Sequence, residues 1–537
     1  MWSLQQVALT ILLLRGVASQ SQYGGNSVRV VPDPPIVESR AFSAPNATLY
    51  SPSFRLNASF PQGWAEGTAG ATSEYSLQTF LQSLADRNPS WMKYQTADFD
   101  SEEGRAFPYV VLSTDSANSS INSLGNGKLK VWLQGGVHGN EPAGDEALLA
   151  LLGKMDANHE WATSILATQD IVVLPRYNPD GISYFQRTLA TNYDPNRDHI
   201  KLARQQTRDI KELFSGFGPH IAVDMHEYGA SSRYATNYSN AADGMYSAAK
   251  NLNIQASIRN ISEALFAKKV GSDLTAAGLR GEPYMTSSSS SNPVRLVEAG
   301  SDAKIGRNAM GLTQTVTFLF ETRGIGIASQ EFKRRTYAGL TMVSSVLQTA
   351  ADNFEEVYDI LENGIQEFIE SEEDIVVTDY TTPQDRTWTM VNRNTGDVVQ
   401  LPVQFESNTP AVANLTRPRP KAYLIPPAWA DLAERLTVSG LDVEKLTEAY
   451  DGTVEAYNIT SASLATSYYE GVMLSSVTAE PVEKIVSLPP GSFLVRTNQR
   501  NAGIAFNALE PENIDSYVSF NIVPLEVGDE YPVYRVL

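Results

Sequence analysis

The sequence predicts an α/β protein: a layered domain on a largely parallel or mixed sheet, then a smaller C-terminal module of mixed α/β or β-rich character. Three observations predict it. Short apolar runs of strand type alternate with segments of helical periodicity across residues 74–370, the pattern of a sheet covered by helices. The residues with the most chemistry stand just after those runs, at the carboxyl ends of strands where such sheets form their sites. From Ser371 the texture changes to short runs containing Thr, Val and Pro, which read as strands of a second module.

Taken in order, residues 7–14 are apolar and lead into Val17-Ala18-Ser19. This reads as a signal peptide over 1–19, although no early Lys or Arg precedes it and Arg15 falls late in the run. The run is too short to span a bilayer, and no later segment offers a spanning run. Residues 20–73 are rich in Pro, Ser, Asn and Gly and read as an extended leader. The first domain covers 74–370. It opens with a helix over 76–86, whose apolar positions are Leu77, Phe80, Leu81 and Leu84. Strands are expected at 109–112, 131–133, 171–174, 221–223 and 316–320, with helices over 143–155 and 202–214. Residues 336–370 read as helix, broken near Asp352 or Asn363. The serine run 287–291 reads as a mobile loop. The C-terminal module, 371–537, is expected to carry strands at 388–391, 492–495 and 517–520 and a helix over 429–439, and to pack on the first domain and shape its cleft.

Composition narrows the function. The chain has 537 residues, a formal net charge of −20 and no cysteine. The charge disfavours nucleic acid and anionic lipid as partners. Without cysteine there are neither disulfides nor thiolate metal ligands, so stability comes from packing. Asn-X-Ser/Thr sequons begin at Asn46, Asn57, Asn118, Asn237, Asn260, Asn414 and Asn458. Together with the signal they fit a secreted, extracellular chain with N-glycans.

Three groups carry the chemistry: His138-Gly139-Asn140-Glu141, Asp194-Pro195-Asn196-Arg197 and Asp224-Met225-His226. Two imidazoles and one carboxylate, His138, His226 and Glu141, make the ligand set of a hydrolytic zinc site with a position left for water. His159, His199 and His220 are weaker candidates. Glu321 ends an apolar strand run and is either a buried acid paired with Arg323 or a general base. Arg187 follows the turn Asn178-Pro179-Asp180-Gly181. It is either a surface arginine or a cation aimed at a carbonyl oxygen as negative charge develops. Arg197 can grip a carboxylate through two parallel hydrogen bonds, with Asn196 adding a donor. Asp194 is a candidate acceptor for the other N–H of a metal-bound imidazole.

The ordered set H-x-x-E, Asn-Pro-Asp-Gly, Arg, Asp-x-Asn-Arg, His at a strand end and Glu after an apolar strand resembles the zinc metallocarboxypeptidase family of the carboxypeptidase A/B type. The resemblance covers residues 74–352. It implies a mixed-sheet carboxypeptidase-like fold and one zinc per chain at His138, Glu141 and His226. It further implies a general base at Glu321, an oxyanion cation at Arg187, and a carboxylate clamp at Asn196 and Arg197. Two departures stand out. The family's substrate-covering tyrosine has no counterpart in Gly306-Arg307-Asn308-Ala309-Met310, and Tyr284 is the nearest upstream. Asp198-His199 follows the Asn-Arg pair, as in divergent, longer members. Lys304 and Arg307 lie where the family often places its side-chain pocket. An inward Arg307 would favour an acidic terminal residue; otherwise it is a surface or ion-pair residue.

The resulting expectation is a secreted zinc carboxypeptidase acting on peptides or amides with a free C-terminal carboxylate. The alternatives are an N-acyl amino-acid deacylase using the same site and a non-catalytic binding protein of the same fold.

Overall fold

The computed structural model describes residues 30–54, 71–115, 121, 124, 127–289 and 293–537. The expected signal peptide and the sequons at Asn57 and Asn118 lie outside the described residues.

Along the chain run strands β1 (Met92–Asp100), β2 (Ala106–Leu112), β3 (Leu129–Gly135), β4 (Gln169–Leu174), β5 (Ile221–Gly229), β6 (Tyr238–Asn240), β7 (Gly244–Ala248), β8 (Gly281–Pro283), β9 (Met285–Ser289), β10 (Val294–Glu298) and β11 (Val316–Ile325). The first sheet has eight strands in the order β1-β2-β4-β3-β5-β11-β7-β8. Strand β3 runs parallel to β4 and β5, and β5 parallel to β11. The pairs β1/β2, β2/β4 and β11/β7 are antiparallel. The sheet is therefore mixed, as the sequence predicts.

Its central strands are covered on both faces, which is why they read as continuous apolar runs. Successive side chains still part to opposite layers. Val131, Leu133, Ile171, Val173 and Val223 pack with Leu148, Leu151, Val343 and Val346 from the helices Pro142–Ala157 and Phe332–Asp352. Trp132, Val172 and Ala222 pack instead with Ile210, Phe214 and Phe217 from the helix Gln205–Phe217. The Trp132 and Phe214 rings meet edge to face at 5.6 Å.

Strands β12 (Ile375–Asn392) and β13 (Val398–Arg417) form a long hairpin. It joins a five-stranded sheet in the order β6-β12-β13-β10-β9, so this sheet draws strands from both sides of residue 371. A third sheet is built from β14 (Ala422–Ile425), β15 (Glu444–Lys445), β16 (Tyr450–Tyr469), β17 (Val472–Leu488), β18 (Phe493–Arg496) and β19 (Tyr534–Val536). Its order is β15-β18-β14-β19-β16-β17. The C-terminal region is thus β-rich, with helices at Ala430–Val438 and Ala502–Ala508.

Three local expectations change and one is sharpened. Residues 517–520 form turns, not a strand. Tyr517, Val518 and Phe520 are all buried, so no period of two exists there, and Tyr517 N–H and Phe520 N–H bond back to Ala508 O and Ser516 O. Within the serine run, residues 287–289 belong to β9, which pairs antiparallel with β10 a few positions on, a pairing that composition does not register. The helix over 336–370 does break beside Asp352, at Asn353 (φ −122°), and Asn363 lies inside the second helix. Inside the expected extended leader, Pro35–Ala41 is helical. Asp33 ahead of it pairs with buried Arg323 and, at 2.6 Å, with Arg393. Among the described residues no helix is long and apolar enough to cross a membrane.

Candidate metal centre and substrate cleft

Neighbouring strands deliver the central groups. His138 and Glu141 follow β3, and Glu141 is the residue before the helix Pro142–Ala157. His226 lies in β5 directly opposite Glu321 in β11. Facing residues of a parallel pair project to the same side of the sheet. Both strands run further than their apolar cores suggest, so His226 and Glu321 sit inside them. The loop holding His138 is pressed on the Asn178-Pro179-Asp180-Gly181 turn. A side chain at Gly139 would put its Cβ 1.9 Å from the Gly181 carbonyl carbon.

His138, Glu141 and His226 are buried, and their ligand-type atoms lie within 4.8 Å of one another. His138 Nδ1 is 2.7 Å from Glu141 Oε1, His226 Nδ1 is 3.0 Å from Glu141 Oε2, and the two Nδ1 atoms are 3.1 Å apart. The far nitrogens face carboxylates: His138 Nε2 is 3.1 Å from Asp194 Oδ1, and His226 Nε2 is 3.0 Å from Asp224 Oδ2. A carboxylate on the outer nitrogen orients an imidazole and raises its basicity as a ligand. Three donors turned inward with two such supports fit a bound cation.

The charge balance fits as well. Burial opposes ionisation of Glu141, but His138 and His226 hold its carboxyl far below the usual range. Burial likewise opposes ionisation of Asp194, which His138 and Arg187 hold well down. Burial pushes the Glu321 carboxyl up to about 8; His226 opposes the rise and Glu141 adds to it. A dication at the triad would offset Glu141 and favour ionised Glu321.

These groups open on a cleft of about 360 Å³, lined by His138, Glu141, Arg187, Asn196, Arg197 and Glu321 among others. Arg187 Nε donates to Asp194 Oδ2 at 2.9 Å, and Nη1 lies 3.4 Å from Glu141 Oε1. Asp194 Oδ1 accepts from Asn196 N at 2.8 Å and so fixes the turn Pro195–Arg197. Asn196 Oδ1 accepts from Gly306 N at 2.7 Å. Arg197 Nη1 donates to Asn196 O at 2.8 Å.

Six of the seven residues singled out from the sequence therefore line one cleft, and His226 sits behind it against His138 and Glu141. Arg323 does not pair with Glu321; it pairs with Asp33 and, at 2.8 Å, with Glu331. Arg307 is buried, donates to Gly300 O, and is not among the cleft's lining residues. Lys304 does line the cleft but is tied to Asp302 at 2.6 Å and Asp515 at 3.0 Å. His220 bonds Lys130 N–H and Glu362, and His159 packs edge-on against Trp91.

Several participants were named in the sequence without a role, or not at all. Tyr284 lines the cleft together with Glu321, although 37 positions separate them in the chain. Asp224 backs His226; the D-x-H spacing was the available signal. Glu227, buried beside Glu141, has its carboxyl pushed up to about 7 by burial, against the pull of Arg335.

A family model described as zinc carboxypeptidase matches residues 77–258. Carboxypeptidase 2 of Trichophyton tonsurans is 55% identical over 523 residues, covering 97% of this chain and 96% of the relative. Carboxypeptidase 2 of Trichophyton rubrum is 54% identical over 522 residues, covering 96% of each. A solved metallo-carboxypeptidase from Burkholderia cenocepacia is 15% identical, with a TM-score of 0.39, over 53% of this chain and 70% of that one; a likeness that loose carries no argument.

Proposed function

The chain belongs to the zinc carboxypeptidase family, and from that premise we propose that it removes the C-terminal residue of peptides at the cleft described above. It is a metallocarboxypeptidase by family; the residue roles that follow are our reading. His138, Glu141 and His226 would hold the zinc, which when bound polarises a carbonyl and makes water a better nucleophile.

Glu321 faces His226 across the strand pair and takes the proton of the attacking water, then gives it to the leaving amine. Arg187 leaves its internal partners in part to steady the developing oxyanion. Asn196 and Arg197 hold the terminal carboxylate and fix which bond meets the base. Asp194 and Asp224 orient the two imidazoles. The observation that carries this reading is the convergence of a three-donor cation site, a buried carboxylate and the Asn-Arg turn on one cleft.

The N-terminal run and the sequons support export with glycosylation, at Asn46, Asn237, Asn260, Asn414 and Asn458 among others. N-terminal sequencing of the extracellular protein tests it; a retained Met1 would refute the signal.

The activity is tested with matched peptides bearing a free or an amidated C-terminus, alongside N-acyl amino acids. Preference for the free-carboxylate peptide is expected, lost in Arg197→Ala. Equal cleavage of the amidated peptide would overturn the clamp. Exclusive turnover of N-acyl amino acids would replace a carboxypeptidase by a deacylase.

A further inference from the structure

The loop that carries the clamp is held from outside by the C-terminal region. Strands β16 and β17 pair as a long hairpin whose last register pair is Tyr469 with Val472. Glu470 and Gly471 are its two turn residues, with φ of 48° and 81°. Two positive φ values in a two-residue turn match the twist of the flanking strands. Gly471 is required twice over: besides its φ, a Cβ there would lie 2.3 Å from Tyr193 Oη. The tip is thus seated on Tyr193, next to Asp194.

Glu470 does the seating. One carboxylate oxygen accepts the Asp194 N–H at 2.7 Å, and its backbone carbonyl accepts from buried Lys201 Nζ at 2.7 Å. Asp194 is the hub of the site: its side chain meets His138, Arg187 and Asn196 N–H. A second anchor comes from the same region. Asp515 accepts from Lys304 N at 2.9 Å and from Lys304 Nζ at 3.0 Å, and the Lys304 loop meets the clamp through Gly306 N to Asn196 Oδ1. A two-stranded hairpin is a weak structure alone, so a tip contact made by a charged acceptor on a site loop is informative.

We propose that Glu470, at the hairpin tip, is a positioning residue for the carboxylate clamp: by fixing the Asp194 backbone it aims Asn196 and Arg197 at the substrate terminus. The proposal rests on the clamp reading given above. Glu470 touches no substrate and acts only through Asp194. The C-terminal region therefore supports the cleft from outside, through Asp194 and Lys304.

The test is steady-state kinetics of the full chain on a free-carboxylate peptide. Loss of one hydrogen bond to a charged acceptor predicts that Glu470→Ala raises KM about ten-fold, with kcat, zinc content and Tm close to wild type. Glu470→Gln keeps an acceptor oxygen and should restore KM. In an Arg197→Ala background, Glu470→Ala should add little, because the clamp it aims is already gone. An unchanged KM in Glu470→Ala while Arg197→Ala raises it would overturn the positioning role and leave the clamp standing. An unchanged KM in Arg197→Ala would overturn the clamp itself. A parallel fall in kcat, zinc content and Tm in Glu470→Ala that Glu470→Gln does not repair would reduce the residue to a structural one and overturn the proposal.

Discussion

Two buried polar clusters, one on the first sheet and one on the third, treat charge in opposite ways. On the third sheet, buried Arg535 is met by Glu455, by Tyr457 Oη at 2.8 Å, by Glu510 at 3.1 Å and by Pro418 O. Glu510 in turn accepts from Tyr423 Oη at 2.7 Å and Tyr457 Oη at 3.1 Å. The charges there answer one another. On the first sheet, Glu141, Asp194, Asp224 and Glu321 gather around two imidazoles, with Arg187 as the guanidinium among them. Glu321 Oε2 has no hydrogen-bond partner among the described residues, while Asp224 Oδ2 and His226 Nε2 face each other at 3.0 Å. Leaving a buried carboxylate oxygen unpaired costs stability, and the excess of acids around the two imidazoles fits the cation site proposed above. The closed cluster is balanced by its own arginine; the open one carries an excess of carboxylates that the proposed zinc would offset.

The largest expected effect breaks the open cluster. Chelation should abolish activity and lower Tm, and zinc should restore both, because a ligand bound only to the folded state adds stability by mass action. His226→Ala should bind zinc far more weakly. Full activity in metal-free protein would sink the comparison. Glu321→Gln is the sharper probe: zinc content and Tm should hold while kcat falls by about 10²–10⁴-fold, the contribution of a positioned base. Turnover near the wild-type rate would move the base elsewhere.

The closed cluster should break differently. Arg535→Met leaves Glu510 and Glu455 without their cation, and removing one partner of a buried pair costs about 3–5 kcal/mol. Chemical denaturation should show that loss, with kcat per folded molecule unchanged. A variant as stable as wild type would mean Glu510 is neutral in the fold, consistent with burial pushing its carboxyl up against the pull of Arg535.

The contrast also explains what the sequence could reveal. The central strands of the first sheet are buried on both faces, so their apolar runs announced them, and His138, Glu141, His226 and Glu321 stood on or beside those runs. Apolar spacing placed the helix over 76–86, which spans Glu74–Arg87 with Ser73 as its cap, and the Asn-Pro-Asp-Gly turn was legible as a turn, Asn178 capping a short helix there. What stayed hidden depends on distant pairing. Tyr284 meets Glu321 only because β8 lies beyond β7 on the sheet. Glu470 meets Asp194 across 276 positions, and Asp33 meets Arg323 across 290. No periodicity or motif encodes such contacts, and half-exposed hairpin strands carry a weak apolar signal of their own.

A third kind of buried charge sets the lower end of the scale. Lys211, in the helix Gln205–Phe217, is 3% exposed, and its Nζ has no hydrogen-bond partner among the described residues. Phe214 offers its ring at 5.9 Å, but no carboxylate closes on it. Burial pushes the ammonium down to about 8, from an ordinary 10.5. The sign follows from proton counting. Between those two values the unfolded chain binds more protons than the folded one, so stability rises with pH there. Below about 8 both states are charged and the cost of burial is felt in full, on the order of 2–3 kcal/mol. Lys211→Met should therefore stabilise the protein at pH 7, and its advantage over wild type should shrink as pH climbs toward 10. A constant advantage across that range would mean the amine is neutral or paired at every pH. A loss of stability at pH 7 would mean that Lys211, too, belongs to a closed cluster.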